Sequence, residues 1–276
     1  MSYFWQVVLV VSLYLSWAAG AKPIAMFNDA QTETHAKLNT SHNVAPLRIA
    51  VAANFTPVLK PLLRKFSAQT GIQTQIISGA SGAIFLQIKY GAPYDVFLSA
   101  DITRPLQLEQ SGQVIAGSRT TYAIGQLAFY SPTMALSSID NLVTQLSTKP
   151  IQRLAIANPE VAPYGKAAKE ALEHMQLWQN YHRHLVTGIN ITQTFTQIRS
   201  QSISQGFIAL SQLRINKLNG VLIPSHYHQP IKQQLVILQN TRQPKAAEIF
   251  RQFILSAKSQ AFIAGAGYAA TNEEAK

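Results

Sequence analysis

Short polar side chains stand at the starts of two predicted helices, where they could hold an anion. Asn54 lies in the loop 54–56, between a β-rich segment and a helix, and Ser81 lies in the loop 78–82, before a second helix. A helix N-terminus has unpaired backbone N–H groups and a partial positive charge. Two such ends with donor side chains therefore predict a receptacle for an anion. The alternative is that Ser81 and Thr56 are ordinary helix caps.

Two further strand–loop–helix units place two more residues at helix starts. Residues 153–178 contain a short strand, a loop with two prolines and a run of strong helix formers, and Tyr164 stands where that helix begins. Ile191 occupies the turn that opens the next helix. None of the four positions is Asp or Glu, although Glu160 is near. A site made only of donors suits a fully deprotonated anion, because a protonated one would also require an acceptor.

Hydrolysis and metal binding are the competing chemistries. The segment 79–83 (GASGA) nearly forms the G-x-S-x-G elbow that would make Ser81 a nucleophile, but its last residue is Ala83, and no His lies where it indicates a general base. Two His-x-His pairs could bind a metal, but without Cys or a carboxylate pattern nearby we interpret them as surface histidines. These pairs are His182 with His184, and His226 with His228.

Strand and helix patterns alternate along most of the chain. Residues 47–101 hold two strand–loop–helix units and a buried strand at 94–100, and residues 244–264 form an amphipathic helix pair. This alternation predicts an α/β protein of two lobes, each with a mainly parallel sheet flanked by helices.

Composition restricts the classes of partner. The 276 residues are 47% hydrophobic and 13% charged, which is typical of a folded protein. The net charge of +11 favours anionic partners, but Lys and Arg are scattered, with no run longer than a pair. That pattern argues against a nucleic-acid groove. The chain has no Cys, so it has neither disulfides nor a lipid-anchored cysteine.

The N-terminus has the pattern of an export signal. Residues 1–21 contain an apolar core too short to span a bilayer comfortably and end in an A-x-A cleavage site. They lack Lys and Arg, which leaves an uncleaved anchor as the alternative. Residues 22–46 are polar without an apolar period and are predicted to be a disordered arm. We therefore expect a protein released into the periplasm.

Several long segments resemble a known family, the periplasmic molybdate-binding proteins of ABC transporters. The matching segments are 50–56 (AVAANFT), 78–82 (SGASG), 87–101 (QIKYGAPYDVFLSAD), 153–172 (RLAIANPEVAPYGKAAKEAL) and 227–233 (YHQPIKQ). The resemblance implies a two-lobed type II periplasmic binding fold with the ligand cleft between the lobes. Lobe one would comprise residues 47–124 plus 221–268, lobe two residues 125–220, and the tail residues 269–276.

The same resemblance implies a site of neutral donors for molybdate or tungstate. Asn54 falls at the polar position of the first loop and Ser81 at the serine of the second, while Tyr164 and Ile191 would donate backbone N–H groups. Relatives have a further Tyr donor where this chain has Ala209, and the amide of Asn54 is expected to compensate. The implied protein is a monomer that binds no nucleic acid and no cofactor, and no metal beyond the oxyanion, and it delivers its ligand to a membrane permease. Two alternatives stay open: a receptor of the same fold for sulfate, thiosulfate or phosphate, and a hydrolase using Ser81.

Overall fold

Two five-stranded sheets flanked by helices make up residues 45–271, the part of the chain that the computed structural model describes. The predicted signal peptide (1–21) lies outside these residues, as does the predicted arm (22–46) apart from its last two positions. Within the described residues, no helix is both long enough and apolar enough to cross a membrane.

The strands of residues 45–271 divide equally between the sheets. In chain order they are β1 (Leu47–Ala52), β2 (Thr74–Gly79), β3 (Val96–Leu98), β4 (Thr120–Gly125), β5 (Leu127–Tyr130), β6 (Leu154–Ala157), β7 (Leu185–Gly188), β8 (Gly206–Ala209), β9 (Val221–Leu222) and β10 (Ile231–Ile237). The first sheet has the order β2-β1-β3-β10-β4, and the second has the order β7-β6-β8-β5-β9.

The helices pack on both sheets. They are α1 (Thr56–Thr70), α2 (Ser81–Lys89), α3 (Thr103–Gln110), α4 (Ile139–Thr148), α5 (Pro163–His174), α6 (Trp178–Tyr181), α7 (Ile191–Arg199), α8 (Leu210–Asn216), α9 (Pro244–Leu255) and α10 (Ala257–Gly265), with short 3-10 helices at His182–His184 and Ser225–Tyr227. Helices α1 to α3, α9 and α10 accompany the first sheet and form lobe one with it, whereas α4 to α8 accompany the second and form lobe two.

Both sheets are mixed, which corrects the expectation of mainly parallel strands. In lobe one, β1 pairs in parallel with β2 and β3, but β10 is antiparallel to β3 and β4. In lobe two, β6 is parallel to β7 and β8, but β5 is antiparallel to β8 and β9. The antiparallel strands, β5 and β10, are the ones that directly follow the chain crossings between lobes, where no α-helix returns the chain in the parallel direction.

The chain crosses between the lobes twice. Gln126 alone separates β4 from β5, so the first crossing lies at this residue, and Gly125, expected in lobe two, ends a strand of lobe one. The second follows β9, because Val221 pairs with Phe129 in the second sheet. The predicted lobe boundary at 221 is therefore early, and a two-residue strand has too little pattern to indicate its sheet. Ala269, expected in the tail, bridges to Ile124 in lobe one.

Local sequence explains the helix that follows the first binding loop. Pro57 occupies the first turn of α1, where its missing N–H has no cost, and Gly71 ends the helix at φ +73°. One face of α1 is buried and apolar, consisting of Val58, Leu59, Leu62, Leu63 and Phe66. This face packs into the lobe-one core and so places the N-terminus of α1 at the end of β1.

Candidate functional site

A small buried cavity lies where the two lobes meet, at the ends of parallel strands and the starts of helices. The cavity volume is about 10 Å³, roughly the room for one water molecule, so no peptide or sugar chain fits into it in this closed arrangement. Its lining residues are Ala52, Ala53, Asn54, Gly79, Ala80, Ser81, Ala100, Ala162, Pro163, Asn190 and Ile191. No charged side chain occurs in this set.

The structure brings the four sequence-predicted residues together around this cavity. Asn54, Ser81 and Ile191 line it directly, and Tyr164 adjoins Pro163, which also lines it. All four residues are between 1% and 3% exposed. Asn54 and Ser81 belong to lobe one, whereas Tyr164 and Ile191 belong to lobe two, so each lobe supplies half of the set.

Ser81 is oriented as a donor and is not a helix cap. It is the first residue of α2, whose capping position is Ala80 and which has no side-chain cap. The Ser81 Oγ accepts a hydrogen bond from the N–H of Ala100 at 2.9 Å. Because a hydroxyl carries one hydrogen and two acceptor positions, this contact leaves the Ser81 hydrogen available for an anion. Thr56 is not a cap either, because its hydroxyl pairs with that of Ser78 at 2.7 Å.

The Asn54 side chain faces away from the cavity, which overturns the expectation that its amide replaces the missing Tyr donor. Its Nδ2 donates to Gln233 Oε1 at 3.0 Å and to the Tyr268 hydroxyl at 3.1 Å, which uses both amide hydrogens. What Asn54 offers the cavity is its backbone N–H, which donates to no other group in residues 45–271.

The two lobe-two positions also present backbone N–H groups. Tyr164 follows Pro163 in the first turn of α5, and within the described chain its N–H has no acceptor. At the start of α7, Asn190 Oδ1 accepts from the N–H groups of Thr192 and Gln193, both at 3.0 Å. The Asn190 cap thereby leaves the Ile191 N–H unpaired among residues 45–271. Both helix termini direct partial positive charge at the cavity.

Hydrogen bonds across the cleft hold the lobes closed over this cavity. The Gly82 N–H donates to the Val161 carbonyl at 2.9 Å, and Arg104 Nη2 donates to the Glu160 carbonyl at 3.2 Å. Elsewhere in the cleft, the Thr192 hydroxyl donates to the Ala53 carbonyl at 3.2 Å. The acceptors belong to the loops that supply the cavity N–H groups, so closure and the orientation of those loops are linked.

A network of buried side chains behind the cavity was not predicted from the sequence. Gln233 bonds to Asn54, to the Tyr122 hydroxyl at 2.9 Å and to the Tyr164 hydroxyl at 3.3 Å. Burial raises the pKa of Tyr122 and Tyr164 well above the usual range and that of Tyr268 to about 12, so these hydroxyls stay protonated at neutral pH. The only sequence signal that pointed to this network was the segment 227–233, which matches the family and ends at Gln233.

Gln212 is a second residue that was not predicted, and it lies three positions after Ala209, where the resemblance implied a missing Tyr donor. Ala209 is fully buried at the end of β8 and does not line the cavity. Its N–H donates to Gln212 Oε1 at 3.0 Å, while Gln212 Nε2 donates to the Ile191 carbonyl at 3.2 Å. Gln212 thus braces the Ile191 loop from behind.

The hydrolase and metal interpretations find no support in the geometry. Ser81 Oγ contacts the Ala100 N–H rather than a histidine. The rings of His174, His226 and Tyr227 pack together instead, with centroids 4.1–5.7 Å apart. Residues 45–271 contain no group of three or more side chains of the metal-binding types.

Comparison with known proteins gives a consistent match over the described part of the chain. Residues 47–269 match the family model described as bacterial extracellular solute-binding protein. The molybdate-binding protein ModA of Azotobacter vinelandii is 35% identical over 228 residues, covering 81% of this chain and 90% of the relative. The ModA of Rhodobacter capsulatus is also 35% identical, with coverages of 79% and 86%.

Solved structures show the same fold. The periplasmic molybdate-binding protein of Azotobacter vinelandii superposes with a TM-score of 0.77 at 35% identity, covering 81% of this chain and 98% of that one. The sulfate-binding protein SubI of Mycobacterium tuberculosis has a TM-score of 0.66 at 14% identity, with coverages of 83% and 88%, which shows a shared fold alone. The two-lobed α/β architecture predicted from the sequence is confirmed.

Proposed function

Because the chain belongs to the family of bacterial extracellular solute-binding proteins, we propose that it captures molybdate, and also tungstate, between its lobes and delivers the anion to the permease of an ABC transporter. The observation that carries the proposal is a buried cavity surrounded by unpaired donors with no carboxylate in its lining. The molybdate-binding relatives at 35% identity support the choice of ligand. The ligand roles of Asn54, Ser81, Tyr164 and Ile191 are part of the proposal.

The donor set can account for useful affinity. The Ser81 hydroxyl and the N–H groups of Asn54, Tyr164 and Ile191 each contribute about 1.5–3 kcal/mol to a charged acceptor, or roughly 6–12 kcal/mol together. Micromolar binding requires about 8 kcal/mol, so the upper part of this range leaves a margin for desolvation and lobe closure.

The chemistry of the cavity also favours one class of anion. Phosphate carries a proton at neutral pH and would place that proton against donors, which disfavours it. Sulfate has the same charge as molybdate but shorter bonds, so the size of the cavity must discriminate between the two.

Calorimetric titration with molybdate, tungstate, sulfate and phosphate tests the proposal. We expect molybdate and tungstate to bind at least tenfold more tightly than the other two anions. Ser81→Ala should weaken molybdate binding about tenfold or more, because it removes a hydrogen bond to a charged group. Ser147→Ala is the matched control, since the Ser147 hydroxyl bonds only to the Val143 carbonyl in α4. Tighter binding of sulfate or phosphate, or an unchanged Ser81→Ala affinity, would contradict the proposal.

We further propose that the protein works as a monomer in the periplasm after removal of residues 1–21. Membership in an extracellular solute-binding family supports export.

A further inference from the structure

We propose that Gln233 is a positioning residue that joins the two halves of the oxyanion site and stabilises the closed arrangement of the lobes. This inference rests on the function proposed above. Gln233 does not line the cavity, so its effect on the ligand would be exerted through Asn54 and Tyr164.

Gln233 lies at an irregular point of a strand next to a crossing between the lobes. It lies in β10, two residues after the start of the strand at Ile231, and it is fully buried. The pairing of β10 with β4 shifts register between Gln233 and Gln234, as in a β-bulge. Bulges redirect a side chain and often occur near functional sites. Here the redirected side chain is a neutral amide with both a donor and an acceptor.

The Gln233 amide contacts one proposed ligand residue from each lobe. Its Oε1 accepts from Asn54 Nδ2 at 3.0 Å and from the Tyr122 hydroxyl at 2.9 Å, all within lobe one. Its Nε2 donates to the Tyr164 hydroxyl at 3.3 Å, and Tyr164 begins a helix of lobe two. One side chain therefore connects the backbone segments that present the Asn54 and Tyr164 N–H groups.

Gly125 makes room for the Tyr164 ring on the lobe-one side. A Cβ at Gly125 would overlap the Tyr164 hydroxyl and lie 2.7 Å from Gln233 Nε2. The Tyr164 side chain thus reaches past the last residue of β4 and ends inside the buried network of lobe one. If the lobes separate, the Tyr164 hydroxyl must leave Gln233, whereas the bonds of Gln233 to Asn54 and Tyr122 remain within one lobe.

This asymmetry gives the Gln233–Tyr164 hydrogen bond a specific role. The bond forms only on closure, so it raises the population of the closed state, in which both lobes contact the anion. The apparent dissociation constant equals the intrinsic constant divided by the fraction of binding-competent protein. Losing the bond should therefore weaken binding and accelerate release without touching the ligand.

Tyr164→Phe is the direct test, because it removes the hydroxyl and keeps the backbone N–H and the ring. We expect the dissociation constant for molybdate to rise about tenfold, mainly through a faster off-rate, from the loss of one buried hydrogen bond. The thermal midpoint of the ligand-free protein should stay near the wild-type value, because the open form does not make this bond. Stopped-flow displacement, titration calorimetry and thermal unfolding give the three readouts.

Tyr181→Phe is the matched control for loss of a buried tyrosine hydroxyl. The Tyr181 hydroxyl donates to the Leu146 carbonyl at 3.1 Å, and both residues are in lobe two. This variant should lower the thermal midpoint of the free protein and leave molybdate affinity unchanged. The two variants thus separate an effect on closure from an effect on folding.

Gln233→Leu and its combination with Tyr164→Phe complete a double-mutant cycle. Gln233→Leu should weaken binding more than Tyr164→Phe, because it also releases Asn54, and the double variant should be no weaker than Gln233→Leu alone. Additive losses would overturn the proposal, as would wild-type affinity and off-rate in Tyr164→Phe. Failure of the wild-type protein to bind molybdate or tungstate would instead refute the proposed function and this inference with it.

Discussion

Gly82 is the position where a single methyl group should most directly oppose closure of the cleft. Its N–H donates to the Val161 carbonyl across the lobes at 2.9 Å, so the two backbones are unusually near each other. A Cβ at Gly82 would lie 3.0 Å from Val161 Cα and 2.9 Å from Arg104 Nη2. The Arg104 side chain can move, but the Val161 backbone is the wall of the opposite lobe.

The magnitude of the Gly82→Ala effect follows from that distance. Carbon atoms in favourable contact are about 3.5–4.0 Å apart, so the lobes would have to separate by roughly half an ångström at this point. Overpacking of this kind costs about 1–3 kcal/mol, which corresponds to an increase of about 5- to 150-fold in the dissociation constant. The backbone of Gly82 has no positive φ, so Ala adds no backbone strain of its own.

Titration calorimetry with molybdate and thermal unfolding of the free protein together measure this effect. We expect weaker binding and an unchanged or slightly raised thermal midpoint, because replacing Gly by Ala restricts the unfolded chain. Gly265→Ala is the control, since a Cβ there has no heavy atom within 4 Å. Wild-type affinity in Gly82→Ala would refute the view that the ligand is held in this closed arrangement. A fall in the thermal midpoint that matched the loss of affinity would mean that the methyl group disturbs lobe one instead.

Two further predictions concern the approach of the anion and the mature chain. The lining of a groove beside the cavity includes Lys60 and Arg64 and contains no carboxylate. Replacing both residues by Gln should lower the on-rate of molybdate about two- to fivefold at low salt and leave the off-rate unchanged. Stopped-flow fluorescence measures both rates. Changing Lys245 and Lys258, on the outer helices α9 and α10, is the charge-matched control, and an equal effect there would refute local steering. Protein recovered from the periplasm should be monomeric by light scattering and lack residues 1–21 by mass spectrometry, whereas a full-length mass would indicate an uncleaved anchor.

Much of the fold could be predicted because its signals are local. The apolar spacing of α1 and its ending at Gly71 are properties of one short segment, and the structure reproduces them. The antiparallel placement of β10 and the assignment of β9 to lobe two are not local. Val221 pairs with Phe129, and Leu235 pairs with Leu98, through contacts between segments far apart in sequence. A two-residue strand carries no periodicity from which such pairing could be deduced.

The same division applies to the candidate site. The positions of Ser81 and Ile191 could be predicted because a strand followed by a helix places its connecting loop at one edge of the sheet. The direction of the Asn54 amide could not, because it depends on Gln233, which is 179 residues later in the chain. Residue type alone indicates that Asn can donate a hydrogen bond, but only the packed network shows that both of its hydrogens are used elsewhere.

The loops at the cavity use the two sides of the peptide unit for different purposes. The Ala53 carbonyl accepts from Thr192 in the opposite lobe, and the neighbouring Asn54 N–H remains for the cavity. In lobe two, the Val161 carbonyl accepts from Gly82, and the Tyr164 N–H lies three residues further along the same turn, in a different peptide unit. Because the Ala53 carbonyl and the Asn54 N–H belong to one planar peptide unit, the bond that closes the cleft at Ala53 also fixes the direction of the Asn54 donor. In the proposed function, such a site recognises a dianion without a charged side chain, because lobe closure completes the set of donors.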